Sequence, residues 1–170
     1  MSDAASAILG ATAPDLLHYF ERRDRNDAAD LLAETLVVAW RRVDDLPEDV
    51  VQARMWLFGI ARMVLLGHAR DQARRSRLAD RLRDLPEPAA NDADQALDVR
   101  AAIAKLPEAD AELVRLVHWD GLTLAEAATV VGINASTARG RYQRARTALA
   151  VSLAHSVGPR TVHELPKPGR

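Results

Sequence analysis

The chain has no cysteine among its 170 residues, which excludes disulfide frameworks and thiolate metal sites. Aromatic residues make up only 4% of it. The β-branched and aromatic types that favour strands are few beside alanine and leucine, which are strong helix formers, so an all-α protein is expected. No uninterrupted apolar run reaches the length of a bilayer span, and Met1 to Pro14 lacks the basic-then-apolar layout of a secretion signal. A membrane partner is therefore not expected, and the cytoplasm is the expected location. His18, His68, His118, His155 and His163 are scattered, with no HExxH, no histidine pair at ligand spacing and no glycine-rich phosphate loop. The DDLPED stretch beginning at Asp44 lacks calcium-loop periodicity. Asp24, Asp27 and Asp30 recur at helical spacing, but a solvated helix start explains them better than a metal site. The sequence thus points to no catalytic residue, no metal and no cofactor, and a non-enzyme is expected.

The net charge is only −1, yet charge is distributed in blocks. Acids crowd residues 15–50, while residues 70–83 hold six arginines against Asp71 and Asp80. Residues 84–98 carry five acids and no base, and residues 135–154 carry four arginines and no acid. Such asymmetry gives each basic block a possible phosphate partner and asks for a different partner at the acidic front.

Helical periodicity organises the chain. Asp15 to Arg23 is a short amphipathic segment. Asn26 or Asp27 can cap a second helix to about Val43, whose Leu32, Leu36, Ala39 and Val43 share one face. A longer helix runs from about Gln52 to Arg75, apolar all round in its first half and basic in its second. Trp56, in the apolar half, is expected in the core. Pro86, Pro88 and the Ala/Asp-rich stretch to Gln95 read as a linker. The expectation is two small helical domains, 15–80 and 98–154, joined by a flexible linker over 81–97. Residues 1–14 are expected to be a flexible N-terminus and 155–170 a disordered tail.

The second half holds the most specific pattern. Asp98 to Lys105 is one helical segment, and the next starts at Pro107 and reaches His118. Thr123 and Glu126 match a capping box, Gly132 suits a left-handed stop, and Asn134 or Ser136 can cap the helix that follows. A short capped helix, a glycine turn and a basic amphipathic helix make a helix-turn-helix. Ala138, Tyr142, Ala145 and Leu149 form the inward face of the last helix. A recognition helix reads bases chiefly with its N-terminal residues, so Ser136, Thr137, Arg139, Arg141, Gln143 and Arg144 are the duplex-DNA candidates. The plainer alternative, arginines that merely solvate a surface, is disfavoured because solvated helices usually mix signs.

The stretch Gly121 to Leu149, GLTLAEAATVVGINASTARGRYQRARTAL, resembles region four of the sigma-seventy family of bacterial RNA polymerase factors, with Thr137, Arg141, Arg144, Ala145 and Arg146 on the family's Thr-x-x-x-Arg-x-x-Arg-Ala-Arg run. DAADLLAETLVVAWRR, Asp27 to Arg42, resembles region two point two, and WLFGIAR, Trp56 to Arg62, the start of region two point three. The order and the intervening linker fit, and the short chain is similar to the compact extracytoplasmic-function (ECF) group. The resemblance implies that core RNA polymerase is the partner, through the clamp helices of its largest subunit and the flap of its second subunit. It places Asp27, Asp30, Glu34 and Thr35 on the clamp-binding surface, with Ala33 and Leu36 departing from the usual glutamine and aromatic. It places Gln52, Arg54, Arg62, His68 and Arg70 on the unstacked strand of the promoter minus-ten element, and the helix from Ser136 on the minus-thirty-five duplex. Many members are restrained by an anti-sigma factor, which makes one a partner to look for. Gly140 stands where the family often has serine. A helix-turn-helix regulator acting without core polymerase, and a helical module binding proteins alone, are the rival readings.

Overall fold

The first helix, α1 (Ser2–Glu21), starts well before the amphipathic segment that signals it. The computed structural model describes residues 2–80 and 94–156. Residues 2–14, expected to be a flexible N-terminus, are helical. Pro14 inside a helix removes a hydrogen bond and crowds the carbonyl one turn back, at a cost of about 3 kcal/mol. Burial outweighs it. Ala5, Leu9, Leu16, Tyr19 and Phe20 form one inward stripe running past the proline, and Thr12 Oγ1 donates to the Ile8 carbonyl at 2.9 Å.

The next helix, α2 (Ala28–Arg41), begins after Asp27, whose side chain makes no cap bond. Its buried residues are Ala28, Leu31, Thr35 and Ala39, so the inward stripe is rotated from the face expected on periodicity. Leu32 and Leu36 lie at its margin, half-buried. A turn of 3-10 helix (Val43–Asp45) leads to α3 (Val50–Asp80), longer at both ends than the expected 52–75. The Asp49 carboxylate accepts the Gln52 amide at 2.9 Å in its first turn. This is the one described helix long and apolar enough to cross a bilayer by length and composition. Here its Ala53, Leu57, Phe58 and Ala61 are instead fully buried in protein, and α3 packs on α1, α2 and α6.

The second half comprises α4 (Asp94–Ala104), α5 (Glu108–His118), α6 (Leu124–Val131) and α7 (Ala135–Ser156). Helix α4 takes in residues 94–97 of the expected linker. The rest of that linker with its prolines, and the tail beyond Ser156, lie outside the described residues. Among the described residues there is no strand.

One apolar cluster runs through both halves. Leu16, Tyr19, Phe20, Leu31, Leu57 and Phe58 of the first half join Leu113, Leu116, Leu122, Ala127, Val130 and Ala138 of the second. Tyr19 meets Phe20 and Phe58 edge-on, at ring separations of 5.2 and 5.6 Å. A smaller cluster of Ile103, Ala111, Val114 and Ala145, flanked by Trp119, Tyr142 and Leu149, ties α4, α5 and α7 together.

Candidate nucleic-acid interface

Local chemistry builds the helix-turn-helix. The Thr123 amide donates to Glu126 Oε2 at 2.6 Å and the Glu126 amide to Thr123 Oγ1 at 3.3 Å, satisfying two otherwise free donors at the start of α6. Gly132 ends that helix at φ +77°, where a Cβ would be strained. Asn134 is the cap of α7. Its Oδ1 accepts both the Thr137 amide and the Ser136 hydroxyl at 2.8 Å, which resolves the choice between Asn134 and Ser136. Ala127, Ala128 and Ala138 are buried, and their small size lets α6 and α7 approach closely.

On α7, Ala138 and Ala145 face inward with Tyr142 and Leu149 beside them. Ser136, Arg139, Gln143 and Arg144 are exposed, while Thr137 and Arg141 are half-buried. Among the described residues, Arg139, Arg141 and Arg146 have no acid within ion-pair distance; Arg144 Nε lies 3.9 Å from Asp110. The N-terminal half of α7 is therefore a row of cations, only Arg144 of them near an acid, with the Gln143 amide among them, able to hold phosphate or read base edges. Gly140 sits in open space on this row, with only Arg144 Nη1 at 3.9 Å from where a Cβ would stand.

The five minus-ten candidates do not form one comparable track. Gln52 is exposed at the start of α3. Arg54 donates to Asp15 at 3.2 and 3.1 Å and to the Asp120 carbonyl at 3.1 Å. Arg62 lines a cleft between the two halves. His68 Nε2 is 2.8 Å from Asp27 and 3.4 Å from Asp24, and Arg70 is exposed, donating to the Leu66 carbonyl at 3.0 Å. Trp56, expected in the core, is only half-buried. It lines a groove with Gln52, Met63 and His68, and the Arg42 guanidinium lies 5.7 Å from its ring.

Of the four polymerase candidates, Asp30 and Glu34 are exposed. Asp27 is engaged with His68, so two residues assigned to different partners share one contact. Thr35 is a correction: it is fully buried and its hydroxyl donates to the Leu31 carbonyl at 2.7 Å, so it belongs to the α2 packing stripe and presents no surface. Apolar neighbours on the same helix are exposed as well. Trp40 is 49% and Val37 48% exposed, and both line a shallow apolar groove with Leu9, Ala13 and Leu36 between α1 and α2. Exposed tryptophan is enriched at the centres of protein-binding surfaces.

Asp24, Asp27 and His68 also place three donor atoms within 4.8 Å of one another, the one such group among the described residues. The Gln72 amide sits among them, 3.4 and 3.2 Å from the two carboxylates.

The fold and these surfaces define an all-helical DNA-binding protein, with a helix-turn-helix at one end and a separate basic helix packed on an acidic one. Two family models match it, sigma-70 region 2 over residues 12–75 and sigma-70 region 4 over residues 96–149. The ECF RNA polymerase sigma factor SigF of Caulobacter vibrioides is 32% identical over 158 residues, covering 89% of this chain and 85% of the relative. Among solved structures, the sigma factor RpoE of Bartonella quintana, in complex with the anti-sigma factor NepR, shares the fold at a TM-score of 0.59 and 24% identity, covering 89% of this chain and 92% of that one. CnrH in complex with the cytosolic domain of CnrY aligns at a TM-score of 0.57 and 26% identity, covering 91% and 94%. The chain belongs to the sigma-70 family of RNA polymerase sigma factors, in its ECF group. No catalytic family is among these matches.

Proposed function

We propose that this ECF sigma factor engages core RNA polymerase through the exposed side of α2, using Asp30 and Glu34 with Trp40 and Val37, against the clamp helices of the largest subunit. The region-four half docks on the flap of the second subunit and presents Ser136, Thr137, Arg139, Arg141, Gln143 and Arg144 to the minus-thirty-five duplex. Helix α3 takes the unstacked minus-ten strand along Gln52, Arg54, Arg62, His68 and Arg70, with Trp56 as a stacking surface. The protein acts in the cytoplasm, where polymerase and promoter are, and carries no catalytic centre or cofactor of its own. The two solved relatives were captured with anti-sigma partners, and a partner of that kind is proposed for this chain too.

The observation that carries the reading is the acid-free arginine row on α7, in which Arg139, Arg141 and Arg146 have no acid within ion-pair distance among the described residues, in the same chain as an acidic α2 bearing an exposed tryptophan. The test is reconstitution with bacterial core polymerase on a promoter library from the same organism. Core-dependent transcripts from a defined promoter set, lost on Arg141→Ala with Arg144→Ala, support it. Binding to duplex DNA without binding to core would replace it with the helix-turn-helix regulator.

A further inference from the structure

Four polar side chains converge where the loop between α1 and α2 meets α3. Asp24 and Asp27 come from that loop, and His68 and Gln72 lie one turn apart on α3. His68 Nε2 is 2.8 Å from Asp27 Oδ2 and 3.4 Å from Asp24 Oδ2. The Gln72 amide nitrogen is 2.7 Å from His68 Nε2, 3.2 Å from Asp27 Oδ2 and 3.4 Å from Asp24 Oδ2. The Asp27 amide donates to Asp24 Oδ1 at 3.4 Å, which leaves Oδ2 for α3. The chain holds 23 lysines and arginines, yet among the described residues neither carboxylate has one within ion-pair distance.

With both carboxylates ionised, hydrogen bonding alone does not satisfy this group. A bare His68 Nε2 accepts from Gln72 but then faces the two carboxylates, acceptor against acceptor. A protonated Nε2 donates to Asp27 but then meets the Gln72 amide, donor against donor. Turning the amide over, which exchanges its oxygen and nitrogen, sets the oxygen against the carboxylates instead. Each assignment leaves one contact of like against like. A cation between the four groups removes all of them, with the imidazole neutral and the amide oxygen turned inward.

The donor set selects the kind of cation. Calcium takes six to eight oxygens, and magnesium keeps most of its waters. One imidazole with two carboxylates suits a zinc-like ion, since imidazole favours zinc, copper, iron and nickel. Zinc holds nitrogen and oxygen at about 2.0–2.2 Å in a tetrahedron, whose edges are then about 3.3–3.6 Å. The separations of 3.4, 3.4 and 3.2 Å already fit those edges. The two shorter ones, at 2.8 and 2.7 Å, need to open by about half an ångström or slightly more. Asp24, Asp27 and His68 are half-buried and Gln72 is exposed, so an ion can enter from solvent.

We propose that Asp24, Asp27, His68 and Gln72 form an exchangeable site for one zinc-like divalent ion, which ties the loop entering α2 to the second half of α3. The site stands on this geometry and not on the sigma reading. The test is calorimetric titration of the full chain with Zn2+, and separately with Mg2+, alongside thermal melts. The unmodified protein should bind one equivalent of Zn2+ and melt at a higher temperature with it. His68→Gln and Asp27→Asn, checked for equal helix content by circular dichroism, should each weaken binding about tenfold or more and lose the thermal shift. Gln72→Glu adds a third carboxylate at little cost to the helix and should tighten binding, a gain that misfolding cannot produce. No Zn2+ binding by the unmodified protein overturns the site. Equal binding by His68→Gln and Asp27→Asn does so too, because the ion is then held elsewhere, as by the other histidines. Mg2+ bound as tightly as Zn2+ overturns the assigned class of ion, and Gln72→Glu binding no more tightly removes Gln72 from the ligands.

Discussion

Replacing Arg141 with alanine separates the proposed DNA-reading role of α7 from its folding. Arg141 has no ion-pair partner among the described residues and lies on an exposed-to-half-buried row, away from the inward Ala138 and Ala145. Arginine and alanine both favour helix, so the stability change should stay within about 0.5 kcal/mol, as for surface substitutions in general. A lost bidentate base contact costs about 1–3 kcal/mol, roughly 5- to 150-fold in affinity, and only for duplexes carrying the right base. A lost phosphate contact weakens every sequence alike and flattens the logarithmic salt slope by about 0.9. Adding Arg144→Ala removes a second cation whose link to Asp110 is 3.9 Å long and whose side chain is 68% exposed, so the folding cost of that change should be at most about 1 kcal/mol. The assay is fluorescence anisotropy of holoenzyme on labelled minus-thirty-five and scrambled duplexes at two salt concentrations, with thermal melts in parallel. Unchanged affinity and salt slope for Arg141→Ala on every duplex would refute the placement of α7 in the groove. So would a loss no larger than a fall in melting temperature explains.

The two glycines of the helix-turn-helix should respond in opposite directions. Gly132→Ala forces a Cβ onto a φ of +77° and should destabilise by about 1 kcal/mol, whereas Gly140→Ala, in open helical space, should stabilise by up to about 1 kcal/mol; urea unfolding of each checks both signs. Phe58→Ala removes a fully buried side chain from the shared apolar cluster and should cost about 3–5 kcal/mol, lowering both halves in one transition if the cluster couples them. Trp40→Ala, at a half-exposed position, should leave the melting temperature nearly unchanged and weaken core polymerase binding by about 2 kcal/mol or more if the tryptophan is a binding hot spot, as competition against an unlabelled sigma factor would report.

The helix-turn-helix was legible because its signals are local. Thr123 and Glu126 are three residues apart, Asn134 caps the amide of Thr137, and Gly132 announces its own backbone conformation. The start of α1 was not legible, since Gly10 and Pro14 argue against helix and only packing against α2 and α3 overrules them. The α2 stripe was misplaced for a related reason. Leu31 and Leu32 are chemically equal, and the choice between them is made by the surface they meet; the family resemblance placed Thr35 on a partner surface, although it lies on the buried stripe with Leu31.

The junction between the halves lay furthest from view. In the sequence, Arg22, Arg23 and Arg25 alternate with Asp24 and Asp27 and look like an ordinary solvated turn. The partners that give Arg23 its meaning are 89 and 97 residues further along, and nothing in the spacing of Glu112 and Asp120 marks them as ligands of an arginine. Polarity even argues the wrong way, because charged side chains are normally read as surface. The same reasoning explains why the helix that carries the minus-ten candidates was legible and the surroundings of their side chains were not. Periodicity can place Arg54 and Arg62 on α3, but only the docked second half determines that Arg54 is already hydrogen-bonded and that Arg62 faces a cleft.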